Sequence, residues 1–375
     1  MTISCKRTKI SGSSSAQNGA WIPRANLPTS VAMGESATFT VNNAAYVGTG
    51  INPLTPSQKL TVMYKYAAAA LNSSESQDSW DSAYGAWTQV QSFPGQARSN
   101  AVGFNIGGST GYLGAGLAND NATALADFYA YNPVTNTWSS IDSMHNDTTS
   151  FPRYDAAAFS FDTTAYVLTG TNGQYYFNDV WRYSPTANAW IQQDYYPGSN
   201  RSGAVSFVYH GQGYLVTGFT PGSKWAEGSL CYDFWRFTPG SDSSVNNWTR
   251  LSDIYNTNPA TFDNAYTDII RDHAVAFTIL GQPDGDKGYI TTGSNGGTDI
   301  TSTWEYDFAS DRWTAKTAFS GTPRTGAVGF TLAGNVPSAL GAAATRGFIA
   351  TGLNLGATAA FPDCEEFFPN LADSK

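Results

Sequence analysis

A repeated unit governs what this chain can fold into. Six times along its 375 residues a small-residue strand ending in Phe is followed by a strand ending in Gly, an aromatic strand and, in five units, a Trp. The clearest copy reads RSGAVSF at 201–207, GYLVTGF at 213–219, YDFWRFTP at 232–239 and NNW at 246–248. In that register the phenylalanines are Phe39, Phe104, Phe159, Phe207, Phe277 and Phe330. The glycines that close the second strand are Gly50, Gly116, Gly170, Gly218, Gly293 and Gly352, and five of them follow Thr. A period near fifty residues with four short strands per period belongs to blades set around an axis. The expected fold is therefore all-β, a six-bladed β-propeller.

The sixth unit has no Trp of its own after CEEFFPN at 364–370, whereas the other five end in Trp87, Trp138, Trp190, Trp248 and Trp313. The missing residue stands at the other end of the chain, where GAW at 19–21 repeats GAW at 85–87. Placing Trp21 on the outer strand of the last blade closes the ring and leaves no free edge between first and last blades. The domain reading is a flexible tail over 1–16, one propeller over 17–370 and a short tail over 371–375.

Composition narrows the function classes. Only 13% of residues are charged and the net charge is -9, which excludes nucleic acid as a partner, because phosphate recognition needs clustered Lys and Arg. No apolar stretch reaches the roughly 20 residues of a membrane span. The Asn, Ser, Thr and Gly-rich surface points to an exported, monomeric protein of the periplasm, outer-membrane surface or extracellular space. Cys231 and Cys364 fall in third-strand regions of different blades and read as packed, reduced thiols. Cys5 precedes the polar run KRTKISGSSSAQNG and reads as a lipid-anchor site or part of a plain tail. Three dispersed histidines and no HxH, HExxH, paired-Cys or DxDxDG spacing support no metal and no cofactor.

Six residues before each register Phe stand Met33, Arg98, Arg153, Arg201, Arg271 and Arg324, so five of the twelve arginines share one repeat position. By topology that position lies on the face to which the second-to-third loops and the blade linkers return. The longest of those loops carry Trp225, Tyr255 and Tyr266. Two readings follow: a guanidinium-rimmed channel mouth that takes an anion, with the aromatics stacking beside it, or arginines that fasten the ring through acids and carbonyls. Two positions further on stand Glu35, Asn100, Asp155, Gly203, His273 and Gly326. Asp155, Asp272 and His273 are the catalytic candidates, as a carboxylate and an imidazole can serve as general base and acid. They equally suit ion pairs.

The paired aromatics and Trp (Tyr183 with Trp190, Phe237 with Trp248, Tyr306 with Trp313), the segments YSPTANAW and YNPVTNTW, and the GY…TG second strands resemble kelch-repeat propellers over residues 17–370. GYLVTGF with YDFWRFTP is similar to kelch proteins of the Bacteroidetes-type envelope. Thr-Gly here replaces the usual double glycine. The superfamily includes galactose oxidase-like copper enzymes, whose Tyr and His ligand set this chain lacks, and periplasmic sialic-acid mutarotases. The resemblance implies a ligand site at the channel mouth. The expected function is a binding module for an anionic or carbohydrate ligand or a protein loop, through Arg98, Arg153, Arg201, Arg271, Arg324, Trp225, Tyr255 and Tyr266. The alternatives are a cofactor-free sugar mutarotase or isomerase, and a purely structural surface protein.

Overall fold

The computed structural model describes residues 19–54, 58–71, 84–146, 148–222, 228–240, 247–254, 269–337 and 342–371. Six four-stranded antiparallel sheets stand around one axis. Their innermost strands are Ala37–Val41, Val102–Ile106, Ala157–Ser160, Val205–Tyr209, Val275–Ile279 and Val328–Val336. These line an axial channel of about 460 Å³. Among the described residues the helical content is a single 3-10 turn, Thr29–Val31.

The repeat exists because each blade must cover the next. The register Phe alternates inward on its strand, stacks on its cross-strand neighbour and reaches the outer aromatic of the following blade. Phe39 lies parallel to Tyr46 at 5.2 Å and meets Trp138 edge-on at 5.9 Å. Phe104 does the same with Tyr112 and Trp190. The Trp indole then fixes the seam by donating to a carbonyl of the preceding blade, as Trp138 does to Gln91 and Trp190 to Asp142. Such aromatic pairs add roughly 0.5–1.5 kcal/mol each beyond the area they bury.

The last blade is completed as the duplicated tripeptide predicts. Ala20–Pro23 pairs antiparallel with Cys364–Phe368, setting Trp21 opposite Phe367, and the Trp21 indole donates to the Thr317 carbonyl of blade five. Arg24, at the end of this strand, shares the fully buried Glu366 with Arg346. This strand is thereby held by hydrogen bonds, rings and charge at once.

Two closed circuits of backbone hydrogen bonds run around the channel. In one, each register glycine donates to the carbonyl of the next blade's arginine: Gly50 to Arg98, Gly116 to Arg153, Gly170 to Arg201, Gly218 to Arg271 and Gly293 to Arg324. Gly352 returns to Met33. These glycines hold φ between +89° and +112°, a region closed to other residues. In the second circuit Asn100 donates to Glu35, Asp155 to Asn100, Gly203 to Asp155, His273 to Gly203, Gly326 to His273 and Glu35 to Gly326. All six residues of this second circuit are left-handed as well, with φ from +48° to +62°. That bend turns the side chains of Glu35, Asn100, Asp155 and His273 out of the ladder and toward the channel mouth.

Candidate functional site

The five arginines do not rim the mouth. Arg98, Arg153, Arg201 and Arg271 are fully buried and Arg324 is 1% exposed. Each sits in its own blade beside the residue that opens the third strand. Arg153 forks onto Asp179 at 2.6 and 2.7 Å, donates to the Thr169 carbonyl and lies 4.5 Å from the Phe177 ring. Arg98 with Asp127 and Arg324 with Asp363 repeat that fork. Arg201 bonds Asp233, and Arg271 bonds Ser302. Four of these guanidiniums hold an aspartate and a backbone carbonyl, and Arg271 holds the Thr292 and Ser302 carbonyls with the Ser302 hydroxyl, so all five are turned into their blades away from a ligand, and the ligand-binding expectation for them is corrected. They are fasteners. Trp225, Tyr255 and Tyr266 lie outside the described residues.

The aspartates were the partners that sequence reasoning missed, although ADFYAYN, NDVWRYS, YDFWRFT and PDCEEFF all show an acid just before the third strand. Blade one has changed both members together. Met33 replaces the arginine and Val62 the acid, and Met33 is buried among Leu27, Val62 and Tyr64.

The catalytic candidates do converge. His273 Nε2 stands 3.3 Å from Asp155 Oδ1, and its Nδ1 is 3.1 Å from Asp272 Oδ1. His273 belongs to blade five and Asp155 to blade three, so the imidazole has to cross blade four. Gly203 makes the crossing passable, because a Cβ there would lie 2.9–3.2 Å from three atoms of the ring. Burial opposes the charge on His273, yet Asp155 and Asp272 outweigh it and hold the imidazolium well above its usual range. Asn100 donates to the same Asp155 oxygen. Glu35 completes the set, its carboxyl pushed up first by burial and then by Asp155.

Glu35, Asn100, Asp155 and His273 line a cavity of about 150 Å³ above the channel, floored by Ser36, Ala101, Ala156, Ala204, Ala274 and Ala327. Small floor residues let groups from opposite blades face one another. The exposed tyrosines Tyr175, Tyr195 and Tyr232 belong to second-to-third loops and a blade linker, which return to this same face. Among the described residues no cluster of His, Cys, Asp and Glu has the geometry to hold a metal ion. Cys231 and Cys364 are free and buried, and burial pushes the Cys231 thiol up to about 11.

A model of the Kelch motif matches residues 152–193, the span of blade three. An N-acetylneuraminate epimerase from Pasteurella multocida (strain Pm70) is 23% identical over 204 residues, 45% of this chain and 51% of the epimerase. The chain thus spans about half the length of that curated relative. The solved structure of YjhT superposes with a TM-score of 0.62 at 15% identity, covering 91% of this chain and 95% of the other. That likeness establishes the fold.

Proposed function

We propose that this six-bladed kelch propeller is a binding module whose channel mouth takes a neutral, hydroxyl-rich ligand of the carbohydrate class. The observation that carries the reading is the convergence of Glu35, Asn100, Asp155 and His273, from four different blades, on one small polar cavity. Hydroxyl groups are read by mixed donors and acceptors held rigidly in a concave site, and the backbone circuit beneath these four supplies the rigidity. Tyrosines on the surrounding face suit the apolar side of a sugar ring. The sign of the ligand's charge follows from the arginines. With the guanidiniums buried, the described mouth sets the two carboxylates Asp155 and Asp272 against the single imidazolium of His273, a poor host for an anion. The epimerase relative makes a sugar a natural first choice, but its anionic ligand does not fit this balance. The weakly charged surface suits an exported address, which blotting of cell fractions would check.

Calorimetric titration with neutral mono- and oligosaccharides, N-acetylneuraminate and acidic peptides tests the reading. Neutral sugars are expected to bind and Asn100→Ala to weaken them roughly tenfold, the effect of about one lost hydrogen bond to a charged or polar group. Equal or tighter binding of the anions, or binding indifferent to Asn100, would sink it.

A second reading rests on the Asp155, His273, Asp272 arrangement, an acid–base set able to interconvert sugar anomers. The imidazolium would give a proton to the ring oxygen as a carboxylate takes one from the anomeric hydroxyl. The ring C–O bond then breaks to the open aldehyde and re-forms on the other face with both protons returned. Magnetisation exchange between anomer signals would detect it, and rates unchanged in His273→Asn would exclude it.

A further inference from the structure

Among the described residues Glu35 differs from Asp155 and Asp272 in making no ion pair, the charges of His273 and Lys59 answering it only in part. Asp155 and Asp272 share His273 at 3.3 and 3.1 Å. Among the described residues Glu35 has no ion pair. The nearest positive side chain on its own blade, Lys59, is buried, points its Nζ at the Leu117 carbonyl at 3.0 Å and is itself held below the usual lysine range, first by burial. The groups that face Glu35 are Asp155 from blade three, His273 from blade five, Lys59 from the loop of blade one and the Ser99 hydroxyl from blade two. The backbone on either side is fixed, since Glu35 donates to Gly326 and accepts from Asn100, and Gly326 makes room for the Glu35 stem, since a Cβ there would lie 3.1 Å from Glu35 Cγ.

Two half-buried carboxyls share this small cavity with a single imidazolium, and in the one that makes no ion pair with it, burial and Asp155 favour the protonated form over the opposing pull of Ser99, His273 and Lys59. We propose that Glu35 is the specificity-determining donor of the mouth, a neutral carboxylic acid whose O–H is given to an uncharged acceptor oxygen of the ligand, such as a sugar hydroxyl or amide carbonyl. This rests on the carbohydrate reading above and adds to it the atom that selects the ligand. A neutral acid donates one strong hydrogen bond, whereas its ionised form can only accept, so ligand affinity follows the protonation of this one group.

Two measurements on the full chain separate the donor role from the sugar reading. The first follows the Glu35 carboxyl carbon by NMR against pH, its signal assigned by loss in Glu35→Gln. The expected midpoint lies above the ordinary 4.5 and drops in Asp155→Asn; an ordinary midpoint overturns the proposal. The second titrates N-acetylglucosamine as probe across the same pH range. Affinity is expected to fall by roughly tenfold per pH unit above the Glu35 midpoint. Glu35→Gln, whose amide donates at every pH, should give a flat profile, and Glu35→Leu should lose binding throughout. A sugar affinity that is flat in the wild type, or that keeps its slope in Glu35→Gln, overturns the donor role and leaves the carbohydrate site standing. No sugar binding at any pH, with the Glu35 midpoint still raised by NMR, overturns the carbohydrate reading and the donor role with it.

Discussion

Arg153 carries a charge into the protein interior, and the sequence itself contains the experiment that shows how such a charge can be dispensed with. Removing one member of a buried pair strands the other, at a cost of about 3–5 kcal/mol, while replacing both with apolar groups is often neutral. Arg153→Met or Asp179→Val alone should therefore lower the thermal midpoint steeply, and the double variant, which copies Met33 and Val62 of blade one, should recover most of the loss; a double variant as unstable as the singles would mean that the bonds to the Thr169 carbonyl matter more than the pair. The mouth makes a different prediction, in pH. His273 and Glu35 both have folded values raised above their ordinary ones, so each contributes stability that is complete below its unfolded value and is lost as pH rises through the folded value. Denaturant midpoints should fall with rising pH, through a window that opens above 4.5 for Glu35 and above 6.5 for His273. Glu35→Gln should remove the lower part of that slope and His273→Gln the upper, and slopes identical in all three proteins would contradict the assignment. At this scale the sequence was only half legible. Arg, Asp and His stood out by position, but what receives each guanidinium inside its own blade is the residue before the third strand, an acid in four blades and Ser302 in the fifth, about 26 to 39 residues further on, a distance only the closed sheet makes short.

The blade is the element that sequence conveyed best, because a period-two strand with one obligatory aromatic has few ways to pack. Trp21 is the sharpest instance. A lone tripeptide near the start of the chain reads as loop, but its identity with 85–87 placed it on the outer edge of the last blade, and it is now found 2% exposed against Phe277, Phe319 and Phe367. Trp21→Ala should cost about 3–5 kcal/mol, the usual range for emptying a buried aromatic site, measured by chemical denaturation. A loss under roughly 1 kcal/mol would mean that the strand is held by Glu366 and its two arginines rather than by the ring. The mouth elements were harder to read, since a left-handed residue in each blade has no sequence signature when it is Glu, Asn, Asp or His as well as Gly. Gly203 illustrates why the exception matters. Gly203→Ala would meet both a positive φ of +62° and the His273 ring, and the expected result is a folded protein in which His273 titrates nearer its ordinary value, visible by imidazole NMR. An unmoved His273 would show that the ring has another route across blade four.

At the scale of the whole molecule the propeller is closed by three devices: the outer strand of blade six and the two backbone circuits that pass from Gly352 to Met33 and from Glu35 to Gly326. Their relative weight can be separated because only the first depends on chain connectivity. Moving residues 19–28 to follow residue 375 would leave every blade contact in place and make blade six one continuous stretch, so that nothing covalent spans the seam between blades six and one. The loop that the strand closes in the natural order runs over some 340 residues, and (3/2)RT ln n puts its entropic tie at no more than roughly 5 kcal/mol. Blade packing already restricts the ends, so the realised part is smaller. The permutant is expected to fold to the same circular dichroism spectrum, unfold at lower denaturant, and lose cooperativity first at the opened seam, where hydrogen exchange of the Glu35, Gly326 and Gly352 amides should accelerate ahead of those of Gly170 and Gly203. Uniform exchange around both circuits would instead assign ring closure to the backbone bonds and aromatic seams alone, making the six blades equal in stability despite their differences in sequence.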